Sequence, residues 1–360
     1  MSEVKFLIRK SEVIFRIRNS EVGCQNGKMP GSRKSEFHAT LLDLRTSTAA
    51  ITSISKVHGA KLNLMSVMVM DVLVDPPNIT RSRPSPMLSL TPINFSLISK
   101  RTKGLTKQMT FLSRYSIQLG FDKEIDIVID GNGKKKTGFF YIITSDEATN
   151  GKMEENDWLQ ENSYERFSFK YSENGQIEEW KLWMGRVADI FNMESMKTLT
   201  MYTDMYDMEP IVDCLKTHVK SIEMCSMSEK EGGRTNGEHV AQFMNSIIIK
   251  KELNLFLSPL NNDFDARIPK NLKMISIKDA KWVGYEKLLE IDCRKLVLYE
   301  SLLTNEEWNS FIKKWMAMEA HLNLQFLEFY LTSIEEFRRL VLHDIPHELI
   351  DEEVSRRLIG

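Results

Sequence analysis

The sequence predicts an α/β protein: a small helical module, a strand-rich segment, and an irregular leucine-rich-repeat-like α/β domain. Three observations predict it. A basic stretch near residue 100 has a helix's apolar spacing; residues 115–180 alternate in the manner of strands; and beyond Trp180 short strand-like runs recur about 20 to 30 residues apart with helical segments between them.

With 360 residues, 42% of them hydrophobic and 27% charged, the chain is long enough for two or three domains around a real core. A net charge of -2 argues against a surface built throughout for phosphate backbones, so any basic function is local. Cys24, Cys214, Cys225 and Cys293 show no CxxC pairing and suggest neither a disulfide framework nor a zinc cage. A reducing compartment, cytoplasm or nucleus, is expected. The most apolar run, residues 62–74, is too short to span a bilayer and contains Asn63, Ser66 and Asp71.

Residues 1–60 are expected to form an N-terminal arm. SEVKFLIRK is followed by the near-duplicate SEVIFRIRN, which is either a weakly ordered arm or a short hairpin pairing with a sheet edge. Residues 61–110 form the helical module. It is interrupted by DPPNITRSRPSP, whose Pro76, Pro77, Pro84 and Pro86 let no helix through. Over residues 93–109 Ile93, Leu97, Ile98 and Leu105 keep helical spacing, while Lys100, Arg101, Lys103 and Lys107 lie opposite. Between Arg81 and Arg114 there is no Asp or Glu.

Residues 111–179 are the strand-rich segment, carried by YSIQLGF, IDIVIDG and TGFFYIITSD, with a hairpin at Asp130-Gly131-Asn132-Gly133 and a surface loop over 145–161. Residues 180–335 hold strands at LTMYT, SIEMCS, ELNLFLS, LKMISIK, KLVLYES and LQFLEFYL. Between them MEPIVDCLKTHV and NEEWNSFIKKWMAM read as helices, the latter opened by a Thr304/Glu307 capping box that Ser333 and Glu336 repeat. This is the periodicity of leucine-rich-repeat-like stacks, although LxxLxLxxN is not met strictly. A compact α/β domain is the alternative. Residues 336–360 form a C-terminal helical tail.

Catalytic motifs are weak. Gly131 and Gly133 before Lys134, Lys135 and Lys136 lack phosphate-loop spacing and read as a turn. His343 and His347 are separated by Pro346 and read as surface residues after a helix. No catalytic, cofactor-binding or metal-ligating residue is assigned, and no cofactor is expected. Cys214, Cys225 and Cys293 sit in apolar patterns and read as core.

LTPINFSLISKRTKGLTKQM resembles the second half of an F-box, the module that docks on the Skp-type adaptor of cullin ubiquitin ligases. The match rests on a helix started at Pro92 and on Leu97, Ile98, Ser99, Lys100 and Arg101. LMSVMVMDVL resembles the module's opening helix, with Met65 in place of the usual proline. The departure from the family is the proline-rich stretch 74–89, which separates the two halves. Residues 180–332, above all KLWMGRVADIF, KWVGYEKLLEIDCRKLVLYESLLTNEEWNSFIKKWM and LQFLEFYL, resemble the F-box-associated (type 2) domain of nematode F-box proteins.

The resemblance implies a non-catalytic substrate-recognition subunit of an SCF-type (Skp, cullin, F-box) E3 ubiquitin ligase. Adaptor contacts would come from Leu64, Val69, Leu73, Pro92, Ile93, Leu97, Ile98 and Lys100, and a protein target would sit on the C-terminal domain. The alternatives are a scaffold whose degenerate F-box does not dock, or a nucleic-acid-binding protein using the basic segment 81–114 with nearby Phe95, Phe111 and Tyr115 for stacking.

Overall fold

The structure, a computed structural model, describes residues 3–8, 13–19, 93, 96, 99–108, 115–131, 136–158, 163–230, 233, 235–257, 264, 266–331 and 333–350. It is a mixed α/β chain that divides into two compact units, Met1–Glu21 with Ser113–Gly360, and Val22–Leu112.

In the smaller unit Ile93 and Ser96 are helical and buried, and helix α1 spans Lys100–Gln108. The single helix expected over 93–109 is therefore broken at Ser99. The cause is local. Ser99 Oγ accepts from Thr102 N at 3.1 Å while Ser99 N donates to Thr102 Oγ1 at 2.9 Å, a reciprocal cap that starts a new helix.

The larger unit is built on one 14-stranded sheet. Its first strands, β1 (Glu3–Ile8) and β2 (Val13–Asn19), form the antiparallel hairpin left open as one reading of the duplicated SEV segment. Next come β3 (Tyr115–Phe121), β4 (Ile125–Gly131) and β5 (Lys136–Thr144), a meander of antiparallel pairs. The surface loop expected over 145–161 instead holds a 3-10 turn at Glu147–Thr149 and the edge strand β6 (Met153–Trp158). Its sequence, MEENDW, hides from a period-2 search because an edge strand needs no apolar alternation, and its acids discourage further pairing. β7 (Ser163–Tyr171) runs between β5 and β6.

Helix α2 (Gln176–Phe191) joins this meander to the parallel part of the sheet. Trp180 meets Phe121 edge-on at 4.9 Å and Trp183 lies 4.9 Å from Tyr141, so α2 covers β3–β5. The expected boundary between 179 and 180 falls inside this helix, and the two segments share a single sheet. The chain then alternates β8 (Ser195–Tyr202), α3 (Met208–His218), β9 (Ser221–Ser228), α4 (Gly237–Ser246), β10 (Ile248–Phe256), β11 (Leu272–Ile277), α5 (Tyr285–Glu290), β12 (Cys293–Leu298), α6 (Asn305–Met316), β13 (Phe326–Leu331) and α7 (Ile334–Leu340). All six strands expected here are present, with bounds that differ by a few residues. Where a helical tail is expected over 336–360, α7 ends at Leu340 and β14 (Glu348–Ile350) follows, paired antiparallel with β1, while residues 351–360 lie outside the described residues.

From β3 through β8, β9, β10, β11, β12 and β13 to β2, every pair is parallel. Each step from β8 to β13 moves to the next neighbour in the same direction. Because parallel crossovers are right-handed, the helices stack on one face.

The core explains why these strands form. In β8 Met196, Leu199 and Met201 are buried; in β9 Ile222, Cys225 and Met227; in β11 Leu272, Ile275 and Ile277; in β12 Cys293, Leu296 and Leu298. Leu324, Leu327 and Phe329 repeat the spacing at β13. Strand β10 spreads it over Ile249, Leu253 and Leu255 because its register shifts between Ile249 and Glu252, where one strand holds an extra residue. Helix starts are capped in the same economical way. Asp207, Asn236, Thr304 and Ser333 each accept a backbone N–H of the first turn, and at Thr304 Glu307 completes the capping box.

Candidate partner-binding surface

Residues alternating with that core point to the sheet face opposite the helices. Strand register lines them up in rows. One runs Thr198, Met224, Glu252, Met274, Lys295 and Phe326; the next runs Thr200, Ser226, Asn254, Ser276, Val297 and Glu328. Hydroxyls and an amide dominate the middle strands. Among the described residues the buried hydroxyl groups of Thr198 and Ser228 have no hydrogen-bond partner.

Toward β12 and β13 the face becomes aromatic and cationic. Tyr299 and Tyr330 stack with centroids 4.3 Å apart and planes 24° from parallel, and Lys295 Nζ lies 4.9 Å from the Phe326 ring centroid. Above them Lys281 Nζ bridges Glu300 at 2.9 Å and Asp279 at 3.3 Å. The hydrogen bond to Glu300 raises the lysine's pKa most, and burial opposes it. Arg16 and Arg18 of β2 are the register partners of Glu328 and Tyr330. Ser276, Val297, Phe326 and Glu328 are buried, so this end of the face offers the half-buried Tyr299, Tyr330 and Lys295 and the exposed Glu300, stacking area and fixed charge suited to a protein contact.

The described thiols give it no nucleophile. Cys225 and Cys293 are buried among the helix-facing core residues, and burial pushes both up to about 12; Cys214 is half-buried and pushed up to about 11. Among the described residues no cluster of His, Cys, Asp or Glu has the arrangement of a metal site, and no helix is long and apolar enough to cross a membrane. His343 and His347 do not converge, since each Nδ1 lies against a nearby carbonyl, of Leu340 at 3.1 Å and of Ile345 at 2.8 Å.

Of the residues expected at an adaptor interface, Ile93 is fully buried and Lys100 is exposed at the start of α1. Leu64, Val69, Leu73, Pro92, Leu97 and Ile98 lie outside the described residues, as do most residues of the basic segment before Ser99. The aromatic end of the sheet face was not singled out from the sequence. The signal lay in Lys295, Tyr299, Phe326 and Tyr330, which fall between the buried positions of adjacent strands.

No curated protein and no solved structure matches the chain. The model of the F-box associated family matches residues 263–329, the stretch that contains β11, α5, β12, α6 and most of β13, and there the chain is similar to that family.

Proposed function

We propose that this protein is a non-catalytic substrate-recognition subunit of an SCF-type E3 ubiquitin ligase. The observation that carries the reading is the F-box associated match over residues 263–329, which takes in β12 and most of β13, the strands beside which Tyr299 and Tyr330 stack. On this reading the chain has two roles. Residues 61–110 act as an interrupted F-box-like module, docking on the Skp-type adaptor through Leu64, Val69, Leu73, Pro92, Leu97 and Ile98, with Lys100 at the rim, while the fully buried Ile93 packs inside the module. The larger unit, a leucine-rich-repeat-like stack from about residue 180 to 335, holds the protein target on its helix-free face. Sequential parallel strands and the recurring three-then-two spacing of buried residues support the repeat-like description.

The mechanism is tethering. Holding a target beside the charged E2 raises the effective concentration of its lysines, so this subunit supplies binding energy and geometry and no covalent chemistry. The stretch 74–89 is compatible with docking, because doubling a loop costs only about 0.6 kcal/mol. The test is co-purification of the full chain with a Skp-type adaptor, for the parent and for Leu97→Asp. Retention by the parent and loss in the variant support the reading; no retention by the parent overturns it, and equal retention by both overturns the assigned face.

A nucleic-acid role rests on the exposed cations Lys100, Arg101 and Lys103 of α1. It predicts binding that weakens steeply with salt.

A further inference from the structure

Strand β5 is apolar on both faces, although α2 covers only one, and Val128 of β4 with Phe167 and Phe169 of β7 extend its second face. Phe139, Tyr141 and Ile143 are buried on the α2 side, as the Tyr141–Trp183 contact shows. On the other side, register aligns Val128 with Phe140 and Phe167, and places Ile142 beside Phe169. Phe140 and Phe167 stack there, centroids 4.6 Å apart and planes 20° from parallel. A strand buried on both faces reads as the continuous apolar run seen in GFFYII, whereas a strand with one wet face alternates. Among the described residues no helix of this unit lies on that second face, and Phe140, Ile142, Phe167 and Phe169 are only half-buried.

The patch is shaped by glycine. A Cβ at Gly138 would come within 2.8 Å of the Phe140 ring, and one at Gly120 would collide with the Asp126 carboxylate. Both glycines keep the face low enough for these two side chains to lie across it. Acids stand on either flank, and Lys152 pairs with the one at Glu154. Asp126 is the register partner of Ile142 on one side, with Asp122 and Glu124 close by, and Glu154 is the register partner of Phe167 on the other. No cation forms an ion pair with Asp126 among the described residues, and burial pushes its pKa up to about 6. At the opposite corner Lys152 shows how a cation fits. Its Nζ is 2.7 Å from Glu154 and 5.9 Å from the Phe169 ring centroid.

We propose that the face formed by Val128, Phe140, Ile142, Phe167 and Phe169 docks a cationic amphipathic helix of a partner protein. The helix seats its apolar stripe on the phenylalanines and its basic flank against Asp126. A helix is the element that a sheet face buries, and Asp126, with Asp122 and Glu124 beside it, selects a basic flank. A second copy of this chain is disfavoured because Lys152, the cation its patch carries, is already paired with Glu154 and would leave Asp126 without a partner. This surface lies outside residues 263–329 and outside the adaptor module, so its success or failure is independent of ligase membership.

The experiment measures fluorescence anisotropy of two labelled model helices, one of leucine and lysine and one of leucine and glutamate with the same apolar spacing, against the full chain. The lysine helix binds at least about tenfold more tightly, and Phe167→Ser and Asp126→Asn each weaken it about tenfold. Asp126→Asn preserves shape and removes a desolvated charge, so it reports even if Phe167→Ser fails to fold. Equal binding of the two helices, or unchanged binding in Asp126→Asn, overturns the proposal. So does self-association of the parent, by sedimentation, that Asp126→Asn strengthens, since a second copy would then be the occupant.

Discussion

The indole of Trp308 stacks flat on the ring of Phe329, centroids 4.5 Å apart and planes 16° from parallel, and so fixes α6 against β13. Phe329 also meets Phe337 of α7 at 5.0 Å, making it the joint between two helices and the sheet. Trp308→Ala is expected to cost about 3–5 kcal/mol, the range for removing a large buried aromatic. Chemical denaturation checks it: the midpoint falls with little change in slope. The consequence is local to the stretch that matches the F-box associated family.

Thr304 opens the same helix. Its Oγ1 accepts from Glu307 N at 3.2 Å, and Glu307 Oε2 accepts from Thr304 N at 2.8 Å. Thr304→Ala is expected to destabilise by about 1 kcal/mol and Thr304→Ser by much less. Thermal melts of the three proteins side by side distinguish the cap from simple loss of a methyl group.

Two buried groups titrate in opposite senses. The Asp126 carboxyl, raised from 3.8 to about 6 mainly by burial, binds more protons folded than unfolded across that interval. Its contribution is fully present below 3.8 and is lost as pH rises through about 6. Asp126→Asn should therefore gain stability relative to the parent as pH climbs over this range. Denaturation at several pH values shows it as a widening gap.

His321 behaves the other way. It is 7% exposed, packs edge-on against Phe311 at 4.9 Å, and burial lowers its pKa below 6.5 although the Leu288 backbone and Asp292 pull upward. The unfolded chain takes the proton first, so stability is full above 6.5 and falls as pH drops through the lowered folded value. At φ 53° an asparagine fits the backbone. His321→Asn is expected to lower stability at neutral pH through lost packing and to flatten the loss on acidification. A variant with the parent's slope contradicts the assignment.

Much of this fold was legible in the sequence because the core repeats. The three-then-two spacing of Leu272, Ile275 and Ile277 recurs at Cys293, Leu296 and Leu298, and each set announces one strand. The Thr304/Glu307 box marked the start of α6 to the residue. Two features were hidden for physical reasons. Ser99 interrupts a well-spaced apolar stripe because its hydroxyl and that of Thr102 satisfy each other's backbone N–H groups, which a period of 3.6 does not register. The second apolar face of β5 was read simply as strand, since the pairing of Phe140 with Phe167 emerges only from register. The aromatic end of the larger face was hidden likewise: Tyr299 and Tyr330 are brought together by pairing between β12 and β13, not by proximity in the chain.

Membership of the ligase is tested by titrating the purified full-length protein with a purified Skp-type adaptor. A ligase subunit forms a one-to-one complex with a dissociation constant below about 1 μM, or about 8 kcal/mol, abolished by Leu97→Asp while the thermal melt of the sheet is unchanged. Absence of heat and of co-migration at tens of micromolar, about 6 kcal/mol, would contradict it.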